Sequence, residues 1–171
     1  MKKSLLIIGL FFAIALSSFA QKYALVDMEY ILESIPSYEI ANQELEKKGK
    51  QWQEEVEKMQ KDVQNMYKTF QANVASLSAA EKTKRENAIV AKENELQQLR
   101  SKYFGAEGEM FKSRQSLIEP IQDSVYNAIK ELALTYGYQA VIDRASATSM
   151  IFASPDIDIS NEVLAKLGYS K

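Results

Sequence analysis

The chain has 171 residues with 21 basic and 23 acidic side chains, and it contains neither cysteine nor histidine. Without cysteine it forms no disulfide and offers no thiolate nucleophile, and without histidine it lacks the commonest general base and metal ligand. This composition argues against an enzyme, and the acidic balance gives no reason to expect nucleic-acid binding, so we predict no catalytic residues, no cofactor and no metal.

The first 20 residues have the features of a cleaved signal peptide. Two lysines follow the initial methionine, an apolar run covers residues 5–16, and Ser18 and Ala20 place small residues at a signal-peptidase site. The run is shorter than the roughly 20 apolar residues of a membrane-spanning helix, although an uncleaved anchor is the alternative. We therefore predict a periplasmic mature chain that begins at Gln21 and has no further membrane span.

Two long amphipathic helices are predicted in the middle of the chain. They follow a short strand at residues 23–27 and a short helix at residues 29–35. In each long helix, apolar residues recur mostly at alternating spacings of four and three, which is the pattern of a coiled-coil seam. The first seam contains Leu45, Gly49, Trp52, Val56, Met59, Val63, Met66 and Phe70, and the second contains Ile89, Leu96, Leu99, Tyr103, Ala106 and Met110.

The two helices are predicted to fold back on each other. Ser78 and Glu81 form a capping-box pattern that marks the start of the second helix. Stretches of about equal length on either side favour an antiparallel hairpin, here called the arm, over residues 37–117 with its turn near residues 77–79. A continuous rod and an intermolecular coiled coil are the alternatives.

Three of the chain's six glycines fall at one level of the predicted arm. Gly49 lies in the first helix, and Gly105 and Gly108 lie in the second. Each costs about 1 kcal/mol relative to alanine in a helix interior. The pattern indicates either a hinge at which the outer arm swings or room for bulky neighbours, and the sequence favours neither interpretation.

Basic residues predominate around the predicted turn. Between residues 67 and 92 the local balance is positive, which would attract acidic polypeptides or an anionic membrane surface within a Debye length of about 8 Å. An ordinary solvated helix surface is the alternative. This basic tip consists of Lys68, Lys82, Lys84, Arg85 and Lys92.

A small α+β base is predicted from residues 21–36 and 118–171. After residue 118 an apolar face predicts a helix that Gly137 ends. Residues 138–143 and 149–153 predict two strands that pair as a hairpin, and a short terminal helix follows. So small a base buries little apolar surface and leaves strand edges unpaired, so we predict that it oligomerises. The residues expected in the oligomerisation strands are Leu25, Val26, Val141, Ile142, Ile151 and Phe152.

The order of these elements resembles the Skp/OmpH family. The similarity rests on the first strand at residues 23–28, the segments at residues 138–143 and 151–153, the Asp-Ile-Asp-Ile run at residues 156–159, and the long helical hairpin between them. It covers essentially the whole mature chain, and the Gln-Lys start and acidic balance are similar to a Bacteroidetes-type member. The resemblance implies a homotrimer whose small β-containing base carries three helical hairpins, or tentacles, around a cavity.

The resemblance also implies a function. The family holds unfolded outer-membrane proteins in the periplasm without ATP, and the chain has no GxxxxGK[ST] nucleotide motif. Tyr67, Phe104 and Phe111 fall beside the seam, so they are the candidates for binding these clients. The best-known members are strongly basic. Here 19 basic and 23 acidic side chains remain after the signal peptide, a net charge near −4, which puts simple electrostatic capture in doubt.

Two functions from other classes are alternatives. A coiled-coil scaffold or adaptor of the cell envelope would form a stoichiometric complex with one specific folded partner. An enzyme or lectin-like module acting on envelope carbohydrate would need convergent carboxylates or stacked aromatics, and the sequence has no such cluster. We predict the holdase chaperone.

Overall fold

The computed structural model describes residues 22–169, so the predicted signal peptide at residues 1–20 lies outside the described residues. The described chain forms two compact units. The hairpin unit is Leu32–Ser124, and the base unit combines the residues up to Ile31 with those from Val125 onward. None of the helices within residues 22–169 has both the length and the hydropathy needed to cross a membrane.

Helices dominate the chain, and two short strands lie far apart in the sequence. Two single 3₁₀ turns, Val74–Ser76 and Pro155–Ile157, connect longer elements. The strands and α-helices, in chain order, are β1 Tyr23–Val26, α1 Met28–Glu33, α2 Pro36–Asn73, α3 Ala79–Phe104, α4 Glu109–Leu117, α5 Glu119–Tyr136, β2 Ala140–Asp143 and α6 Ser160–Lys166.

The hairpin unit has the predicted antiparallel arrangement, so the continuous rod is wrong. Helix α2 runs without interruption for 38 residues and begins at Pro36, where the missing N–H of proline removes no helical hydrogen bond. Seam residues of α2 and α3 pack together along the arm. The buried members of this core are Val56, Val63, Leu96 and Tyr103, and Trp52, Met59 and Leu99 pack partly buried against them.

The turn of the hairpin is held by the predicted capping box. The Ser78 hydroxyl accepts from the Glu81 backbone N–H, and the Glu81 carboxylate accepts from the Ser78 N–H at 3.0 Å. These contacts satisfy two backbone donors that a helix start otherwise leaves unpaired. The chain reverses direction between the end of α2 and the start of α3.

The second helix of the arm is broken at two of the three glycines. Helix α3 ends at Phe104, and Gly108 is the N-cap of α4. A Cβ on Gly105 would lie 2.4 Å from the Ser101 carbonyl oxygen, and a Cβ on Gly108 would lie 2.9 Å from three backbone atoms. The backbone packs too closely here for any side chain. Gly49, in contrast, lies within the continuous helix α2.

The base unit is built around a two-stranded parallel sheet. Strand β1 pairs with β2 in the register Leu25↔Ile142, and on its other side Leu25 forms a single bridge with Asp158. Parallel strands need a long crossover connection, and here it includes the whole hairpin unit. Leu25 and Val26 are buried.

The predicted strand at residues 149–153 is wrong. No strand occurs there, and the preceding residues form a turn in which the Met150 N–H donates to the Ala147 carbonyl at 3.2 Å. Ile151 and Phe152 are 101% and 84% exposed. The apolar pattern indicates a strand, but residues 146–150 form local turns instead, and among the described strands β2 pairs with β1 alone.

Candidate functional site

The candidate client-binding surface consists of the exposed aromatic side chains of the hairpin unit. Tyr67, Phe104 and Phe111 are 49%, 42% and 47% exposed, although all three lie on helices whose seam is packed. No ring contact joins the three residues within the part of the chain that the structure describes. They are separate apolar contact points and do not form one pocket.

Two of these contact points flank the glycine break. Phe104 is the last residue of α3, and Phe111 lies in the first turn of α4. The Phe104 ring packs edge-on against Tyr103, with centroids 6.4 Å apart and an interplanar angle of 75°. Tyr103 itself is buried, so Phe104 is exposed but supported by the core of the arm.

Sequence reasoning missed two further exposed apolar residues of the hairpin unit. Ile40 in α2 is 65% exposed, and Val90 in α3 is 53% exposed. Both lie off the seam by one position, next to the buried residues Ala41 and Ile89. Because both residues are apolar and lie outside the heptad seam, the sequence could have predicted that they are exposed.

A partly buried polar contact supports the aromatic core of the arm. The Tyr103 hydroxyl donates a hydrogen bond to Oε2 of Glu55 across the hairpin. This hydrogen bond, together with burial, raises the pKa of Tyr103 above its ordinary value. The phenol therefore stays protonated, and it fixes α3 against α2 at the level of Trp52.

The basic tip is partly neutralised. The Lys92 Nζ lies 2.8 Å from the Glu95 carboxylate, so its charge is paired. Lys68, Lys84 and Arg85 are exposed, and Lys82 is half-buried. Among the described residues none of these four forms an ion pair, and the nearby Glu81 carboxylate accepts hydrogen bonds from Ser78.

Hydrogen bonds at the tip also lower the pKa of Glu81. The largest contributions come from the Ser78 hydroxyl and backbone N–H, and Arg85 and Lys84 add smaller electrostatic ones. A carboxylate that accepts several hydrogen bonds is stabilised in its charged form. The capping box is thus strongest when Glu81 is ionised.

The predicted oligomerisation residues lie in two different environments. Register places Leu25 beside Ile142 and brings Val141 next to Ala24. Ile142 is 42% exposed and Val141 is half-buried, whereas Leu25 is only 3% exposed. Available apolar surface in these segments therefore lies on β2 and at residues 151–152. An oligomerisation role for them stays a prediction.

A polar network that the sequence did not reveal ties the ends of β1, β2 and α6 together. The Arg144 guanidinium lies 3.1 Å from Asp27 and 3.2 Å from Asp158. The buried Ser160 hydroxyl donates to Asp158 at 2.6 Å and accepts from the Asp27 N–H at 2.8 Å. Within residues 22–169 no group of acidic residues is arranged to hold a metal ion.

The architecture defines an α+β protein in which a long antiparallel helical hairpin is inserted between the strands of a small parallel sheet. The family model "Outer membrane protein (OmpH-like)" matches residues 22–167. The chain therefore belongs to the OmpH-like family.

Related proteins extend this likeness over the full sequence. The chain is 26% identical over 172 residues to chaperone protein Skp of Pectobacterium atrosepticum, covering 98% of this chain and 99% of the relative. It is 28% identical to chaperone protein Skp of Photorhabdus luminescens, covering 94% and 96%. An OmpH-like crystal structure from Caulobacter crescentus CB15 has the same fold, with a TM-score of 0.62 at 16% identity, covering 85% of this chain and 82% of the other.

Proposed function

We propose that this protein is an ATP-independent holdase chaperone of the periplasm that binds unfolded outer-membrane proteins and prevents their aggregation. The observation that carries the proposal is the set of aromatic side chains exposed along an arm whose seam is already packed. Helices that serve only as a rod would bury such residues or lack them. Family membership and relatives named as Skp chaperones support the same conclusion.

Separate contact points suit a chaperone that must release its client. Burial of apolar surface contributes roughly 25 cal/mol per Å², so one half-exposed ring contributes only about 1 kcal/mol. Several such contacts hold an unfolded chain, and each breaks easily. Release then needs only a folding or insertion step that buries the client's own apolar surface.

The chaperone acts as a homotrimer in this proposal. The base unit is small, and it exposes large apolar side chains that isolated small domains rarely leave uncovered. Tyr126, Leu134 and Phe152 are 64%, 75% and 84% exposed. Association of three base units would cover such residues and would also give the open edge of β2 a neighbour.

Charge at the basic tip adds a second, weaker attraction in the same proposal. The unpaired cations of the tip attract acidic client segments and permit peripheral contact with an anionic membrane surface. The proposed chaperone has no catalytic step and needs no cofactor, and the predicted signal peptide delivers it to the periplasm.

An aggregation assay with matched variants tests the proposal. A urea-unfolded outer-membrane barrel protein is diluted into buffer without ATP, and light scattering is followed with and without the protein. The aromatic variant carries Tyr67→Ser, Phe104→Ser and Phe111→Ser. The control carries Gln71→Ser, Gln97→Ser and Gln115→Ser, which change three exposed polar residues on the same helices.

We expect the wild type and the glutamine control to suppress scattering and the aromatic variant to lose most of this activity. Retained helicity in circular dichroism checks that the aromatic variant still folds. Equal suppression by all three proteins would place the client elsewhere, and no suppression by the wild type would refute the chaperone.

A further inference from the structure

A cavity of about 460 Å³ opens between α2 and α3 in the outer half of the arm. Its apolar wall is formed by Met66 and Phe70 on α2 and by Ala88 and Ile89 on α3. Ile89 is buried in the seam, and Ala88 beside it contributes only a methyl group to the wall.

The two charged residues that line the cavity are not equivalent. Asp62 lies at the end of the cavity that is farther from the turn. Its charge acts on Lys92, which also pairs with Glu95. Arg85 lies toward the turn, and among the described residues it forms no ion pair. Lys82 and Lys84 are its neighbours in the sequence. Glu81, one turn earlier on α3, feels the Arg85 charge, but no carboxylate of the described residues forms an ion pair with the Arg85 guanidinium.

We propose that this cavity binds one large apolar side chain of an unfolded polypeptide, with an acidic group next to that side chain paired to Arg85. This inference rests on the proposed function, because it names the client segment that the arm prefers. The volume lies near the lower end of the about 300–1,000 Å³ of typical ligand pockets, which suits a single aromatic side chain.

Charge complementarity favours a polypeptide over a membrane surface as the occupant. A guanidinium binds a carboxylate through paired hydrogen bonds. A short polypeptide segment can place a single carboxylate at Arg85. An anionic membrane surface presents many negative groups close together. Asp62, at the other end of the cavity, would repel a second negative group. A backbone N–H of a polypeptide is instead a suitable donor to Asp62.

Peptide binding to the mature protein tests the inference. The probe is a fluorescently labelled, end-blocked peptide of glycine and serine with Phe-Asp at its centre, and binding is followed by fluorescence anisotropy. Two matched peptides replace Asp by Asn or Phe by Ala. We expect the Phe-Asp peptide to bind roughly tenfold more tightly than either, because a charge-assisted pair and an aromatic contact are each removed.

Variants locate the binding to the cavity. Arg85→Gln should abolish the preference for Asp over Asn. Ala88→Phe, which fills the cavity, should weaken binding of the two peptides that contain Phe. Lys84→Gln is the matched control, since it removes one exposed charge at the neighbouring position. Lys84→Gln should change the preference for Asp over Asn by no more than about twofold.

Three results would overturn the inference. The first is equal binding of the three peptides. The second is an equal loss of the preference for Asp over Asn in Lys84→Gln and Arg85→Gln. The third is Arg85-dependent binding to phosphatidylglycerol vesicles without binding to the peptides. If the same preparation still suppresses aggregation, only the cavity assignment fails. If suppression is absent as well, the proposed function fails with it.

Discussion

Trp52 on α2 stacks on Tyr103 on α3, with ring centroids 5.3 Å apart and an interplanar angle of 14°. The pair joins the two helices just below the glycine break. Trp52 is also the chain's single tryptophan, so its fluorescence reports on this part of the arm. The contact links the packing of the hairpin to the presentation of Phe104, which rests on Tyr103.

Removal of the stacked tyrosine should weaken the arm strongly. We expect Tyr103→Ala to lower the free energy of unfolding by about 3 kcal/mol, because a large buried ring and its contacts are lost. Urea unfolding followed by Trp52 fluorescence and by helicity measures the change. Tyr67→Ala is the control, since Tyr67 is half-exposed and should cost less than about 1 kcal/mol. Equal costs for both substitutions would contradict the assigned packing.

The same tyrosine predicts a dependence on alkaline pH. Its pKa is raised by the hydrogen bond to Glu55 and by burial, so the folded chain favours the protonated phenol. This stabilisation is complete below the ordinary pKa of 10.0 and is lost as pH rises through the higher folded value. Unfolding titrations from pH 9 to about 12 should show a smaller decline in Tyr103→Phe than in the wild type. Lysines titrate in both proteins, so the difference is the readout, and identical declines would contradict the effect.

Much of the hairpin could be predicted because its signals are local. Heptad spacing from Leu45 to Phe70 needs only a partner helix, and Ser78 with Glu81 marks where that helix begins. In the base unit, Gly137 is a similar local signal, since it ends α5 with a φ of 70°, which favours glycine. These features depend on residues within a few turns of one another, so they can be read without the tertiary structure.

The base could be predicted only in part because its contacts are distant in sequence. Ile151 and Phe152 have the composition of a strand, but the residues before them form local turns and no pairing with β2 results. The hydrogen bond from the Asp27 N–H to Ser160 joins residues 133 positions apart, and no local pattern indicates it.

Loss of the cap at the turn should destabilise α3. We expect Ser78→Ala to lower the unfolding free energy by about 1 kcal/mol, since a backbone N–H loses its acceptor. Thermal unfolding measured by circular dichroism checks this, with the exposed Ser116→Ala as the control. A change no larger than in the control would mean that the capping box contributes nothing in solution.

The three glycines should respond differently to substitution. At Gly49 an added Cβ meets only the flexible end of Met110, at 2.8 Å, so Gly49→Ala should be neutral or stabilise by up to about 1 kcal/mol. Gly105→Ala and Gly108→Ala should destabilise the arm, because the added Cβ meets backbone atoms. Urea unfolding compares the three variants, and equal effects would contradict the role assigned to the break.

A hinge at the break is a separate prediction. Spin labels at Gln97→Cys and Gln115→Cys lie on either side of it, and the described chain contains no native cysteine. With labelled chains diluted by unlabelled ones, we expect a broad distance distribution that changes when all three glycines are replaced by alanine, because the added Cβ atoms at Gly105 and Gly108 force the backbone of the break to rearrange. An unchanged distribution in the triple variant would remove the hinge.

The network in the base should be sensitive at Ser160. Ser160→Ala leaves the Asp27 N–H without its acceptor in a buried position, so we expect a loss of about 1–2 kcal/mol in unfolding free energy. Ser146→Ala, at an exposed site, is the control. Thermal unfolding and sedimentation together measure the effect on folding and on assembly. A loss no greater than in the control would argue against the network.

The most direct test of the central claim is light scattering of a urea-unfolded outer-membrane barrel protein diluted into buffer with the mature wild-type protein and no ATP. A soluble folded protein of similar size is added as a competitor to the mixture of the unfolded barrel protein and the wild-type protein. We predict suppressed scattering at about three chains per client, with no effect of the folded competitor. Unchanged scattering at any ratio would contradict the account, and stoichiometric binding to one folded envelope protein would then support the scaffold.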